Sequence, residues 1–306
     1  MFASVLINNF NYAPFLKEAI DSACAQTWRD LEIIVVDDGS TDGSQELIER
    51  LAATDARIVP HFKANGGQLS AMNAGIARAR GDVLFFLDAD DLYAPEHVDK
   101  ALTVYTEHPE CDFLFCSYQQ FGVANERVGL PCPDRLTDLG YTALLTFLSP
   151  TWIGAATSAL SLRRTLAERF CPMANEHDWR VRADDCLVML ASLHMGRKFY
   201  LDEPLVRYRT HASNRHFGKS RDPGSDYVHK MRQSRLIGEA AERTGLYRHL
   251  GGKRLLDLLH GEACTGRKHS ALLRDYRRVM KHQGDVPLLT RLKALRRVSR
   301  MIRDAD

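Results

Sequence analysis

An open, mostly parallel α/β sheet flanked by helices, followed by a helical extension, is the fold this sequence predicts. Three observations lead to it. Short apolar, β-branched runs alternate with segments of helical periodicity through the first 120 residues. The strongest of those runs stop abruptly in clusters of Asn or Asp. Beyond Asp226 the alternation gives way to sequence that is helical or polar.

Taken in order, Ser4 to Ile7 is a short buried strand that meets a loop at Asn8-Asn9-Phe10-Asn11. Pro14 opens a helix whose Phe15, Leu16, Ala19, Ile20 and Ala23 share one face. Leu31 to Val36 is continuous and β-branched, as a parallel strand covered on both faces must be. It ends in Asp37-Asp38-Gly39-Ser40-Thr41-Asp42, turn and capping chemistry ahead of a helix carrying Leu47, Ile48 and Leu51. Ile58 to Phe62 is a weaker strand, Asn65-Gly66-Gly67 a loop, and Ser70 to Ala79 an Ala-rich helix stopped by Gly81. Val83 to Leu87 is the next buried strand, ending in Asp88-Ala89-Asp90-Asp91. A helix follows Pro95, and Asp112 to Ser117 is a strand. Past Gly122 the pattern thins: Pro131 to Pro133 marks a loop, Ala183 to Met195 a helix, and Phe199 to Tyr208 a strand. In Arg291 to Ile302, Leu292, Leu295, Val298 and Ile302 form an apolar stripe among basic residues. No internal repeat is present.

The bulk properties narrow the function. A hydrophobic share of 45% and a charged share of 26% describe an ordinary globular chain, and 306 residues suffice for one large domain or two smaller ones. The net charge of +2 hides an asymmetry, because residues 247–306 carry 15 Lys+Arg against 6 Asp+Glu. An acidic body therefore ends in a basic tail. Seven cysteines without a CxxC pair argue against a disulfide framework and a thiolate zinc site, and point to a reducing compartment. The opening Met-Phe-Ala-Ser shows no basic leader, and no stretch approaches the ~20 apolar residues a membrane span needs. The expectation is a cytoplasmic protein, at most peripheral at the inner face of a membrane. The basic tail lacks interleaved aromatics, so a nucleic-acid partner is not expected.

Parallel sheets bind ligands at the carboxyl ends of their strands. Two acidic clusters, Asp37/Asp38 and Asp88/Asp90/Asp91, follow strands and so share that edge, and Asp184/Asp185 lie on the later helix. Gathered carboxylates repel unless a cation joins them, and hard oxygen ligands suit Mg²⁺ or Mn²⁺. Asn11, VVDDGSTD (35–42), NGGQLSAMNAGIARARGD (65–82) and FLDADD (86–91), in that order and spacing, resemble the donor half of family 2 glycosyltransferases with the GT-A fold. The resemblance covers residues 1–120 strongly and 150–215 more loosely.

The resemblance implies roles. Asn8 and Phe10 would line the base pocket, and Asp38 would accept a hydrogen bond from the base imide. Asn65, Gly67 and Asn73 would border the ribose and diphosphate. Asp88 would contact the ribose or reach the metal through water, and Asp90 would bind the divalent cation directly. The family shows Pro and Tyr where this chain has Asn8 and Phe10. An acidic pair under the acceptor site corresponds to Asp184-Asp185, which makes Asp185 the expected general base. A hydroxyl must lose its proton as the new bond forms, and a helix N-terminus favours an ionised carboxylate. The segment Tyr208-Arg209-Thr210-His211 resembles one in which the histidine completes the metal shell or touches the β-phosphate.

Against these roles stand plainer readings. Asp37/Asp38 could cap the next helix, and Asp91 reads as an N-cap. His177, His194 and His216 read as surface or core residues, and Trp152 and Trp179 as packing or an acceptor platform. The expected organisation is a donor half (1–120), an acceptor half of the same domain (121–224) and a basic helical extension (225–306). The expected function is inverting transfer of a hexose or N-acetylhexosamine from a nucleotide-diphosphate sugar, UDP-linked, to a glycan or lipid-linked acceptor in surface polysaccharide assembly. The rivals are a non-catalytic nucleotide- or glycan-binding module and a sugar-1-phosphate nucleotidyltransferase, which would need a basic Gly-rich loop after the first strand. A dinucleotide oxidoreductase would need GxGxxG there; the chain has Asn8-Asn9-Phe10-Asn11. The basic C-terminal helices could also touch an anionic membrane.

Overall fold

A computed structural model describes residues 1–148, 150–211, 223–246, 277 and 288–303. Strand β1 (Ala3–Asn9) is central and pairs in parallel with β2 (Leu31–Asp37) and β4 (Val83–Asp88), while β3 (Ile58–Phe62) extends the sheet beyond β2. Helices α1 (Ala13–Cys24), α2 (Ser44–Ala52) and α3 (Gln68–Arg78) make the crossovers, as the alternation predicted. A two-residue strand β5 (Leu92–Tyr93), helix α4 (His97–Glu107) and strand β6 (Phe113–Gly122) follow.

The later elements are shorter: β7 (Arg127–Val128), β8 (Leu136–Tyr141), α5 (Ala143–Leu148), a 3₁₀ turn (Thr157–Ala159), β9 (Leu160–Arg163) and α6 (Arg164–Ala167). Then come α7 (Ala183–Leu193), β10 (Arg197–Thr210), α8 (Pro223–Arg243) and α9 (Leu288–Arg303). The sheet runs β3-β2-β1-β4-β9-β6-β10-β5, with β7 on β6 and β8 on β10. β9 lies antiparallel between β4 and β6. Four residues of β9 carry too little periodicity to be read from sequence, yet they join the two expected halves into one sheet.

Side chains alternate across β1, so Val5 and Ile7 face one layer and Leu6 the other. The first layer packs against α1 and α4, and the second against α3 and α7. Asp42 is the N-cap residue of neither neighbouring helix, yet it steadies the start of both: Oδ1 accepts from Ser44 N–H at 3.2 Å, and Oδ2 from Ala13 N–H at 2.9 Å. Gly81 does more than stop a helix. It passes so close to β1 that an added Cβ would lie 2.4 Å from Ser4 N.

On the far side of α7, Leu236, Ile237, Ala240 and Ala241 of α8 and Ala294 and Val298 of α9 are buried in the second layer's core. The expected stripe of α9 is thus divided, with Val298 inside, Leu295 packed against the core and Leu292 exposed. No helix among the described residues is long and apolar enough to cross a membrane. The six described cysteines are free thiols, and burial pushes Cys116 and Cys171 up to about 12, which leaves them unreactive. Ala212–Asn214, His216, Cys264, Ile302's side chain and most of the basic tail lie outside the described residues.

Candidate active site

The carboxyl ends of β1, β2 and β4 meet the N-terminus of α7 around a cavity of about 260 Å³. Asn8, Phe10, Asp38, Asn65, Gly67, Asp88 and Asp90 all line it. Asp37 and Asp38 divide their labour. Asp37 points back into the loop, where Oδ2 accepts from Asn9 Nδ2 at 2.7 Å and Oδ1 from Ser40 N–H and Gln45 Nε2 at 2.9 Å each. Asp38 is 3% exposed and holds the Gly-rich loop: Oδ1 accepts from Lys63 Nζ at 2.7 Å and Gly66 N–H at 2.8 Å, and Oδ2 from Gly67 N–H at 2.6 Å. Oδ2 keeps acceptor capacity for a further donor.

Asp88 sits between two amides, with Oδ1 accepting from Asn8 Nδ2 at 2.9 Å and from Gln68 Nε2 at 3.3 Å. Burial, then the charge of Asp90, pushes its carboxyl up to about 6. Asp90 Oδ2 lies 3.0 Å from His211 Nε2, so the two residues expected to share a metal do meet. The carboxylate is an oxygen ligand of the kind Mn²⁺ and Mg²⁺ take, while the imidazole is a nitrogen donor better matched to softer divalent metals. Among the described residues, however, no three acidic, His or Cys side chains converge to hold an ion, and Asp88 is kept from the pair by its amides. Asp91 is not a helix cap. It is buried, with Oδ1 accepting from Arg209 N–H at 2.8 Å and Oδ2 from Ser158 Oγ at 2.6 Å, and so ties β10 and the 3₁₀ turn to the acidic edge.

Two of the expected site residues do not line this cavity. Asn73 does not reach the cavity: its Nδ2 donates to Met173 O at 2.9 Å and Glu176 Oε1 at 2.7 Å, and its Oδ1 accepts from Met173 N–H at 2.9 Å. It braces α3 against the segment before α7. In the acidic pair, Asp184 lines the cavity and Asp185 lies beneath, 2% exposed, with Oδ2 3.0 Å from Arg182 Nε and 3.1 Å from His229 Nε2. The helical repeat turns successive side chains about 100° apart, so only one of two adjacent acids can face the cavity. Burial, then Asp185 and Asp88, pushes the Asp184 carboxyl up to about 7.

Gln68, inside the 65–82 segment that carries the resemblance, spans the site: Nε2 donates to Asp88, and Oε1 accepts from Ala183 N–H, the first residue of α7, at 3.1 Å. Tyr208, the first residue of the segment that ends in His211, also lines the cavity, whereas Thr157 and Arg180 on its wall were missed. Neither of those two belongs to a local pattern; each arrives from a segment distant in the chain. Trp179 is 2% exposed and packs edge-on to His229, which removes it as an acceptor platform, whereas Trp152 is 36% exposed.

Comparison with known proteins follows the same lines. Residues 4–170 match the model of the family described as "Glycosyl transferase family 2". An uncharacterized glycosyltransferase, alr2836, of Nostoc sp. is 37% identical over 70% of this chain and 66% of its own length. The uncharacterized glycosyltransferase EpsJ of Bacillus subtilis is 33% identical over 67% of this chain and 60% of its own. The chain thus spans slightly under two thirds of these relatives. Among solved structures, S. aureus TarS 1-349 in complex with UDP-GlcNAc aligns over 100% of this chain and 93% of its own, with TM-score 0.61 and 18% identity. The mannosyltransferase PcManGT of Pyrobaculum calidifontis, in complex with GDP-Man and Mn²⁺, aligns over 97% of this chain and 85% of its own, with TM-score 0.50 and 21% identity. At these identities the likeness is one of fold, the GT-A architecture.

Proposed function

The chain belongs to glycosyl transferase family 2, and on that premise we propose that it moves a sugar from a UDP-linked donor to an acceptor hydroxyl with inversion. The observation that carries this reading is one cavity in which strand-end acids, Asp38, Asp88 and Asp90, face a carboxylate from a separate helix, Asp184. The neighbours with UDP, UDP-GlcNAc and GDP-Man in their sites support a nucleotide-sugar donor. Surface polysaccharide or glycoconjugate assembly, with a hexosyl or N-acetylhexosaminyl unit transferred, is the proposed setting. The acceptor is a glycan, free or lipid-linked.

In this reading the base stacks near Phe10, with its imide donating to Asp38. Asp90 and His211 would hold a divalent cation, and the chemistry that ion supplies is neutralisation of charge on the leaving diphosphate. Asp184 accepts the acceptor's proton, one residue from the expected position, because a group near pH 7 is matched to that task. Asp185 acts through it, holding Arg182 and His229 in place.

The deciding experiment is a thermal-shift titration with UDP, GDP, dTDP, CDP and ADP, each in Mn²⁺ and then in chelator. A ligand at about 100 times its Kd stabilises by about 2.7 kcal/mol, a shift of several degrees. A metal-dependent shift with one nucleotide is expected, and Asp90→Asn should remove it. No shift with any of the five sinks the donor reading. Binding without turnover over a panel of acceptors would favour the non-catalytic module.

A further inference from the structure

We infer that the guanidinium of Arg180, and not the backbone of the Gly-rich loop, grips the donor's diphosphate. The inference rests on the donor reading above and deepens it. A glycine-rich turn leading into a helix is an obvious anion cradle, because its free N–H groups point outward. Here four consecutive ones, from Gly66 to Leu69, are already used. Gly66 and Gly67 donate to Asp38 at 2.8 and 2.6 Å. Gln68 N–H donates to Arg180 O at 3.0 Å, and Leu69 N–H to Trp179 O at 3.2 Å. The N-terminus of α3 is closed by the segment that leads into α7.

A diphosphate must then find its donors among side chains, in a cavity walled by Asp88, Asp90 and Asp184. Lys63 is committed to Asp38 at 2.7 Å and Ala64 O at 2.8 Å. Arg182 is committed to Asp185 at 3.0 Å. Arg180 lines the cavity, is exposed, and among the described residues has no carboxylate within ion-pair distance. Its recorded side-chain partner is the neutral Asn65 Oδ1, which occupies one of five N–H donors. The planar fork that remains matches two phosphate oxygens. Its backbone is fixed as well, since Gly67 packs so tightly on it that a Cβ there would sit 2.6 Å from Arg180 Cα. The glycine therefore serves to bring Arg180 to the site.

The test compares UDP with uridine, by isothermal titration for the diphosphate and ligand-observed NMR for the weaker nucleoside. It uses the intact protein, Arg180→Ala and Arg180→Lys, in Mn²⁺ and in chelator. Arg180→Ala should weaken UDP at least tenfold while uridine stays within twofold, and Arg180→Lys should fall between, keeping charge without the fork. An unchanged UDP affinity overturns the proposal. So does an equal loss for uridine, which would make Arg180 a brace for Asn65. Because the side chain is exposed, the variants should melt with the parent. Failure of the parent protein to bind any nucleoside diphosphate would instead overturn the donor reading, and this inference with it.

Discussion

Asp184 is the residue on which function and stability pull in opposite directions. Its carboxyl is raised from about 3.8 in an open chain to about 7 in the fold, by burial and by Asp185 and Asp88. The folded protein therefore binds a proton more tightly than the unfolded chain between those values. The destabilising effect of the charge is absent below about pH 3.8, grows through the window, and is complete above about pH 7. Asp184→Asn should accordingly melt higher than the parent at pH 8 in chelator, with the gain vanishing near pH 4. Turnover should drop by roughly 10²–10⁴-fold with donor binding kept. Asp185→Asn should show the opposite sign, melting lower because Arg182 loses its buried counter-charge. If Asp184→Asn turns over normally and Asp185→Asn does not, the base is Asp185, as first read. Lys198 is a second buried charge, fully inaccessible, with Nζ donating to Ile153 O and Val188 O at 2.8 Å each. Burial pushes its amine well below the usual lysine range. Lys198→Ala opens a cavity and removes a donor from the Ile153 carbonyl, so urea unfolding should report a loss of about 3 kcal/mol. Lys198→Met should cost less, because its volume is kept.

At the scale of elements, the junction between α3 and the start of α7 is what assembles the site. Gln68 bonds both Asp88 and Ala183, Asn73 bonds Met173 and Glu176, and Gly67 sits at φ +93 against Arg180. Gly67→Ala meets two penalties at once, a left-handed backbone and no room for the methyl. It should destabilise by roughly 1–3 kcal/mol and weaken nucleotide binding further than stability alone explains. Titration of the folded variant at a temperature well below its melt separates the two effects. Helix α8 joins the core in the ordinary way through Ile237, 6% exposed, whereas Met231 on its outer face is 55% exposed. Ile237→Ala should cost about 2–4 kcal/mol, and Met231→Ser should stay within about 0.5 kcal/mol.

For the whole molecule, the acidic cavity and the basic extension are separate features of one charge distribution. Leu288, Leu289 and Leu292 are exposed on α9 next to the exposed Lys293, Arg296 and Arg297. That arrangement suits the proposed contact with an anionic bilayer carrying a lipid-linked acceptor. Replacing the three leucines by serine should leave the melting point unchanged, since none is in the core. Co-sedimentation with phosphatidylserine vesicles should fall. Undiminished sedimentation would return α9 to a solvated surface.

Much of the donor half was legible from sequence, because its signals are local. Val5 to Ile7 and Leu31 to Val36 are buried on both faces and must be continuously apolar, and chain direction alone sends Asp38, Asp88 and Asp90 to one edge. Asp90 and His211 were expected together and are together. Other features had no such signature. β9 is four residues long, and Thr157 and Arg180 reach the cavity only because segments distant in the chain fold onto the donor half. Which of two adjacent aspartates faces the cavity depends on the rotational setting of α7, fixed by core packing and by Arg182 and His229. The sequence by itself determined the parallel part of the sheet, its acidic edge and the resemblance to the family the chain belongs to, because alternating burial and strand direction are properties of contiguous residues. Only the tertiary structure decided that Asp184 lines the cavity, that Asn73 braces a loop, and that Gly66 and Gly67 spend their N–H groups on Asp38. Those outcomes depend on competition for hydrogen bonds between segments up to 115 residues apart, and no local pattern encodes that competition.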